Sequence, residues 1–415
     1  MPKQPRVRVT PTAANVYPGG RETRSQTAPQ RAAVLAAQQA QVAAAAQALA
    51  QQRATALANR PAAQPGNRGD GSLHIAFMRV GQGDSAIMST PQGRVLMFDC
   101  GSDAGEEDPA DKETKAVFIA RLQAIINGPK FLAGSNTIDA LITTHPDTDH
   151  YNLLSRVLGR QYTINNWYFS ALRTSYAQGG ASGYLVGRLA DSNTGGKKVV
   201  LNHDPANGAP GEVSINSKAV VAAGGGVTED RLDGNGGILI VDEPNCKISI
   251  LAADVLHQYQ NDGSNPNNRG SVVTLIEVGP PGGPIKKVLM CGDATTNTET
   301  FLMNTVKARI AGLDVLQAGH HASIVTSSQQ AFVDLVDPRL VIASAGKKIP
   351  LHSLPSGEVI VRYRKRLATS LRTQIAQHET FYYEATGWGN RTHGSSFDTY
   401  QVFTTGSRDT FEVDL

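Results

Sequence analysis

Cysteine is scarce in this chain. Cys100, Cys246 and Cys291 are three among 415 residues, too few for a disulfide framework and in keeping with a reducing compartment. Long apolar runs are lacking as well: no uninterrupted stretch reaches the roughly 18 residues a membrane-spanning helix needs. The first residues do not form the apolar core of a secretory leader, because Pro2, Pro5, Pro11 and several arginines stand where it would lie. The expectation is a cytoplasmic protein with no membrane span. Acidic residues are scarce in the N-terminal part. Met1 to Asp70 holds nine Lys/Arg against Glu22 and Asp70, a net of +7, so the rest of the chain sums to −4 to reach the overall +3. The basicity belongs to an arm.

That arm, residues 1–71, is of low complexity. From Gln30 to Ala58 it is almost only Ala, Gln, Leu, Val and Arg, and it closes on Arg60-Pro61 and Gln64-Pro65-Gly66. Ala and Gln favour helix, but few large apolar groups are on offer for burial. The arm reads as a solvent-exposed helix between linkers, with protein contacts or oligomerisation as its other use.

Residues 72–415 have the texture of a packed domain. Leu73 to Val80, Ser85 to Ser89 and Arg94 to Asp99 alternate with the turns Gly81-Gln82-Gly83-Asp84 and Pro91-Gln92-Gly93, which predicts an antiparallel meander. Lys112 to Ile126 has helical spacing. Further strands are expected at Lys247–Ala252, Ser271–Val278, Lys286–Cys291, Leu313–Gln317 and Leu340–Ser344, with helices over Thr298–Ala311 and from Ser356 to about Gln374. Short strands are expected near Tyr400–Thr404 and Thr410–Val413. Residues 171–237, rich in Gly, Asn and Ser, are expected as an insertion. Alternating blocks of strand and helix suggest sheets sandwiched between helices.

The chemistry concentrates at Thr144-His145-Pro146-Asp147-Thr148-Asp149-His150, directly behind the apolar run Ile138 to Thr143. Two imidazoles and two carboxylates within six residues at a strand end are the nitrogen and oxygen donors of a catalytic divalent metal site. Three more such groups stand just past predicted strands and beside a glycine: Asp99 in Phe-Asp-Cys-Gly, Asp293 in Cys-Gly-Asp-Ala, and His320-His321 in Gly-His-His-Ala-Ser. Any one of them alone is an ordinary polar turn. It is the series that points to a site.

In this order, and with Gly81-Gln82-Gly83-Asp84-Ser85 ahead of them, the motifs resemble the metallo-β-lactamase fold superfamily, most of all the soluble hydrolase domain of ComEC-type competence proteins. The likeness runs from about Leu73 to Leu367. Asn267-Asn268, Ser271-Val272-Val273 and Leu351-His352-Ser353 add to it. The resemblance implies a four-layer αββα sandwich of the α/β (α+β) class, with one or two divalent ions at the rim where two sheets meet. By position it implies His145 and Asp147 for one metal, Asp149 and His150 for the other, Asp293 between them, and His320 or His321 completing the second. Asp99 and Asp84 are implied as supports.

Two departures stand out. Asp147 occupies a place usually held by histidine, which favours Mn²⁺ or Mg²⁺ more than an all-histidine site would, with Zn²⁺ kept as an alternative by affinity order. The superfamily's next histidine has no clear counterpart, since His203 and His257 are the remaining histidines before Asp293 and neither lies in a recognisable motif.

The implied activity is hydrolysis by metal-activated water. Asp149 would hold or deprotonate that water, and His352 would help stabilise an anionic transition state. A phosphodiesterase or nuclease acting on DNA or RNA is the leading expectation, with Lys347, Lys348, Arg362, Arg364, Lys365 and Arg366 as a phosphate-facing patch. The alternatives are a hydrolase of small esters, lactones or phosphate esters and a non-catalytic binding or assembly protein on the same fold.

Overall fold

A computed structural model describes residues 66–103, 114–170, 194–202, 227–232, 237–255, 263–346, 354–367, 378–380, 382–385, 391–393, 397–399, 402–407 and 410–415. These all belong to the compact unit Ala62–Leu415. The arm up to residue 65, most of the expected insertion, and His203, His257, Lys347, Lys348 and His352 lie outside the described residues.

The first sheet opens with the expected meander, β1 (His74–Phe77), β2 (Ala86–Ser89) and β3 (Val95–Phe98). The register sets Ile75 opposite Met88 and Met88 opposite Leu96. Helix α1 (Lys115–Ile126) then crosses over to β4 (Thr137–Ile138) and β5 (Ala140–Thr143), and β5 lies parallel to β3. Two single-turn helices, α2 (Thr148–Tyr151) and α3 (Leu154–Val157), lead to β6 (Thr163–Phe169). Strands β7 (Thr194–Asn202) and β8 (Val227–Leu232) continue the sheet in parallel, so the stretch expected as an insertion contributes two strands.

The second sheet repeats this plan. β9 (Ile238–Glu243), β10 (Cys246–Ala252), β11 (Val273–Val278) and β12 (Lys286–Met290) run antiparallel, with the short helix α4 (Pro266–Arg269) between β10 and β11. From β12 the pairing turns parallel, to β13 (Val315–Gln317) and β14 (Leu340–Ala343). Helices α5 (Thr296–Thr305), α6 (Lys307–Ile310) and α7 (Gln330–Val336) make the connections, and α8 (Gly357–Leu367) follows β14. The short strands β15 (His378–Thr380), β16 (Tyr383–Ala385), β17 (Arg391–His393) and β18 (Phe397–Thr399) pair as β15 with β18 and β16 with β17. β19 (Val402–Thr404) then joins β14, and β20 (Phe411–Asp414) returns to β1.

Period-two alternation explains the layers. On the first sheet, Ile75, Met88, Leu96, Phe98 and Ile142 face Ile248, Ile276, Val288, Met290 and Ile342 of the second, forming the central core. The opposite-phase residues Ile87, Val95, Met97 and Leu141 pack on Phe118, Leu122 and Ile126, a stripe at i, i+4, i+8 along α1. Burial of those three side chains contributes roughly 1.5–3 kcal/mol each. Leu275, Leu289, Leu316 and Val341 pack likewise on Phe301, Phe332, Val333 and Val359. The αββα arrangement expected from the resemblance is the one observed.

One expected helix is in fact two. Over Thr298–Ala311 the chain starts earlier, where the Thr298 hydroxyl accepts the Thr295 N–H at 3.3 Å, and it breaks at Val306, whose φ of −130° leaves the helical region. Among the described residues no helix is long and apolar enough to cross a membrane.

Candidate metal centre

Both sheets change from antiparallel to parallel pairing at one strand, β3 in the first and β12 in the second. Such switch points leave a crevice beyond the carboxyl ends of the strands, where backbone from either side diverges. The loops after β3, β5, β12 and β13 carry Asp99, His145 to His150, Asp293 and His320-His321, so four strand ends deliver the motif residues to one place.

Close backbone approach makes this geometry attainable. A Cβ on Gly101 would lie 2.1 Å from the Asp149 carbonyl oxygen and 2.3 Å from the His150 nitrogen. Only glycine lets the β3 loop touch α2 there. Gly292, with φ of +52°, would press a Cβ to 2.7 Å from the Thr144 side chain. Asp99, His320 and His321 themselves take left-handed backbone, with φ of 50°, 48° and 52°. Consecutive left-handed turns in non-glycine residues are costly, and they aim two adjacent imidazoles at one centre.

Asp99 is the anchor of the site. Its Oδ1 accepts the Thr144 N–H at 2.7 Å and its Oδ2 accepts the Thr144 hydroxyl at 2.6 Å. The same Oδ2 lies 2.9 Å from His150 Nδ1. A carboxylate only accepts, so Nδ1 carries a proton, and Nε2 of His150 is the nitrogen left to ligate an ion once its own proton is displaced. His321 is oriented in the same way by donation from Nδ1 to the Ser344 carbonyl at 2.5 Å. His145 Nδ1 is flanked by Thr144 Oγ1 at 3.1 Å and Ser271 Oγ at 3.3 Å.

Asp293 stands in the middle, and its two oxygens have different neighbours. Oδ1 lies 3.2 Å from His150 Nε2 and 3.5 Å from His321 Nε2. Oδ2 lies 3.7 Å from His145 Nε2 and 3.6 Å from His320 Nε2. Asp147 Oδ2 is 3.6 Å from His145 Nε2, and Asp149 Oδ2 is 3.4 Å from His321 Nε2. These contacts are close without being hydrogen bonds: His145 Nε2, His150 Nε2, His321 Nε2 and Asp293 Oδ1 are all buried and unpartnered. Buried polar atoms are nearly always paired, so four orphans facing one another fit a cation they would coordinate. His145, His150 and Asp293, and likewise Asp149, His150 and His321, present atoms within 4.8 Å of one another.

The electrostatics are those of a packed charge network. For His150, His321, Asp147, Asp149 and Asp293, burial opposes the charged form and the opposite charges outweigh it. Against burial, Asp293 and Asp99 raise His150 well above its usual value, and Asp293 and Asp149 hold His321 at about 9. Also against burial, His321 and His150 hold the carboxyls of Asp149 and Asp293 well below the usual range, and His145 lowers Asp147. His320 is the exception: burial pushes it down and His321 adds to this, despite the pull of Asp293.

Asp84 lies beneath the centre. It takes a hydrogen bond from Gln317 Nε2 at one carboxylate oxygen and donates its N–H to the Asp149 carbonyl at 3.1 Å. Its other carboxylate oxygen is buried and unpartnered, and burial pushes the carboxyl up to about 7. Of the expected basic patch, Arg362 donates to the Ser328 carbonyl and so is held within the fold. The sequence motifs did not assign roles to Asn267, Asn268, Ser271, Gln317 or Thr326, all of which touch the site residues. The signal available for Gln317 was a polar residue ending a buried strand, and for Asn268 a Pro266 helix start capped by Asn265.

No family model matches the chain, and none of the curated proteins matches it. Solved structures do overlap it in part. An isothiocyanate hydrolase from Delia radicum gut bacteria is 10% identical, with a TM-score of 0.34 over 78% of this chain and 100% of its own. A possible metal-dependent hydrolase from Veillonella parvula is 8% identical, with a TM-score of 0.31 over 71% and 92%. The metallo-β-lactamase MIM-1 from Novosphingobium pentaromativorans is 13% identical, with a TM-score of 0.29 over 71% and 89%. At these values none of them bears on what this chain does.

Proposed function

We propose that this chain is a metal-dependent hydrolase of the metallo-β-lactamase type whose preferred substrates are the phosphodiesters of DNA or RNA. One observation carries the reading: three imidazole nitrogens and a carboxylate oxygen, all buried and unpartnered, converge around Asp293 at the ends of strands from both sheets. His145 and Asp147 would hold a divalent cation on one side of Asp293, and Asp149, His150 and His321 would hold one on the other. A bound divalent cation lowers the pKa of water toward neutrality and polarises the bond to be cleaved.

The protein's own groups do the rest. Asp99 keeps His150 in the tautomer that offers Nε2, and the Ser344 carbonyl does the same for His321. Asp149 is held well below the usual carboxylate range, which suits it to hold a water or an ion and makes it a weak proton acceptor. Asp147 adds a hard oxygen donor, which favours Mn²⁺ or Mg²⁺ and phosphate oxygens. Three buried free cysteines fit a reducing, cytoplasmic setting.

The test is a metal analysis of the full chain, followed by incubation with plasmid DNA, RNA and a panel of small esters and lactones under Mn²⁺, Mg²⁺ and Zn²⁺. Nucleic-acid cleavage that disappears in Asp149→Ala supports the proposal. Intact nucleic acid with ester turnover that depends on Asp149 would move the assignment to a small-molecule hydrolase. Protein that takes up no divalent metal on titration would leave only a binding role.

A further inference from the structure

We propose that the tandem histidines are divided between two cation positions, His320 joining His145 and Asp147 on one side of Asp293 while His321 joins His150 and Asp149 on the other. The inference rests on the metal-centre reading above, and it supplies the imidazole for which the sequence between His150 and Asp293 offers no clear counterpart.

Successive side chains of an extended strand point to opposite faces, so two neighbours seldom serve one centre. Here the chain leaves β13 and passes through three left-handed residues, His320, His321 and Ala322, with φ of 48°, 52° and 61°. Such backbone is costly outside glycine. It turns both rings toward Asp293, with their centroids 6.1 Å apart. Each ring meets a different carboxylate oxygen: His320 Nε2 lies 3.6 Å from Oδ2, and His321 Nε2 lies 3.5 Å from Oδ1.

Around each oxygen stands the same set of donors. Beside Oδ1, His150 Nε2 is at 3.2 Å, and His321 Nε2 is 3.4 Å from Asp149 Oδ2. Beside Oδ2, His145 Nε2 is at 3.7 Å, and it is 3.6 Å from Asp147 Oδ2. Ligands about 2.0–2.2 Å from a shared ion stand about 2.8–3.6 Å apart at right to tetrahedral angles. The first set lies within that range and the second at its upper edge. Each position therefore offers two imidazoles, one carboxylate of its own and one oxygen of Asp293.

His320 differs from the other three imidazoles in one respect. Their Nε2 atoms are buried and unpartnered, whereas its Nε2 faces Asn268 Nδ2 at 3.0 Å. The same amide nitrogen lies 3.4 Å from Asp293 Oδ2. An NH₂ group only donates, so it rests against an imidazole lone pair and a carboxylate oxygen, the two acceptors that a cation between them would take. On the opposite edge of the ring, Nδ1 faces the Thr326 hydroxyl. With Nε2 accepting, Nδ1 holds the proton and donates it to Thr326, the tautomer that leaves Nε2 for an ion.

The test loads the full ¹⁵N-labelled chain with ¹¹³Cd²⁺ and reads one-bond couplings between cadmium and imidazole nitrogen. Two cadmium signals are expected, with His145 and His320 Nε2 coupled to one and His150 and His321 Nε2 to the other. His320→Gly, in which glycine takes the left-handed backbone without strain, should bind one cadmium and keep the couplings of His150 and His321. A single cadmium signal, no coupling at His320, or coupling of His320 and His321 to the same cadmium overturns the division of the pair and leaves the metal-centre reading standing. So does a His320→Gly variant that still binds two ions with affinities within twofold of wild type. A chain that takes up no cadmium overturns the metal-centre reading as well. If His320→Gly loses both ions, the wild-type couplings decide.

Discussion

Asp99→Asn is the most informative single perturbation, because it changes one atom of the group that sets the His150 tautomer. In the native site Asp99 accepts from the Thr144 N–H, the Thr144 hydroxyl and His150 Nδ1, at 2.7, 2.6 and 2.9 Å. An asparagine in the same rotamer keeps one acceptor, which the Thr144 N–H claims. Its NH₂ end then meets the hydroxyl and the ring. The hydroxyl can turn to accept, but an Nδ1–H facing an N–H cannot stay, so His150 moves its proton to Nε2. That nitrogen, 3.2 Å from Asp293 Oδ1, can no longer coordinate an ion. Replacing an outer partner of a ligating histidine lowers metal affinity by about 10- to 100-fold, or roughly 1.4–2.7 kcal/mol. Losing charge-assisted hydrogen bonds in a fully buried site lowers metal-free stability by about 1.5–3 kcal/mol. Chelator competition measures the first effect and urea denaturation the second, while long-range ¹H–¹⁵N spectra of the imidazoles report the tautomer. A variant that is folded, keeps His150 as the Nδ1–H tautomer and binds metal with wild-type affinity would refute the reasoning.

Three further outcomes are expected. Gly101→Ala should lower stability by about 3 kcal/mol, read from the urea midpoint, because its Cβ would sit 2.1 Å from Asp149 backbone atoms that cannot move aside. Metal affinity should rise with pH, by up to about one log unit per pH unit for each proton displaced, up to about pH 9. This follows because His150 and His321 are protonated at neutral pH in the metal-free protein; an affinity flat from pH 6 to 9 would contradict it. The raised histidines also stabilise the metal-free fold in full below their unfolded value near 6.5; the share of His321 is lost as pH rises through about 9, and that of His150 as pH rises through its own raised value. The lowered Asp149 and Asp293 stabilise it above about 3.8, and theirs is lost as the medium turns more acid. Glu299 behaves in the opposite sense to those two. Burial pushes it up to about 7 although it accepts the N–H groups of Ser328 and Gln329, so its contribution is fullest below 4.5 and is lost as pH rises through 7. Glu299→Gln should therefore be less stable than wild type at pH 5 by about 1 kcal/mol and close that gap at pH 8 in thermal melts, and a gap independent of pH would count against it.

Much of the fold was legible along the chain. The apolar alternation of Ile75 to Phe77 and Leu96 to Phe98, the stripe Phe118, Leu122, Ile126 and the glycine turns are short-range properties, and the observed strands and helices follow them closely. Differences arose where the local pattern was weak or a short polar contact set a boundary. The Thr298 hydroxyl, accepting the Thr295 N–H, started α5 early, and the Gly-rich stretch from 171 to 237 carries the sheet-extending strands β7 and β8 although its periodicity is weak.

Part of the ligand inventory was also local, because His145, Asp147, Asp149 and His150 stand within six residues on one strand-end loop. By itself the sequence determined which donor types this protein has and that they stand at strand ends. Which donor meets which was decided by the tertiary structure. His320 and His321 are adjacent in sequence and both left-handed, with φ of 48° and 52°, yet one reaches Asp293 Oδ2 and the other Oδ1. Asn268 meets His320 across 52 residues. These pairings depend on how the two sheets pack at their switch strands and on the close approach that Gly101 and Gly292 allow, a balance of contacts between distant segments that no local pattern encodes.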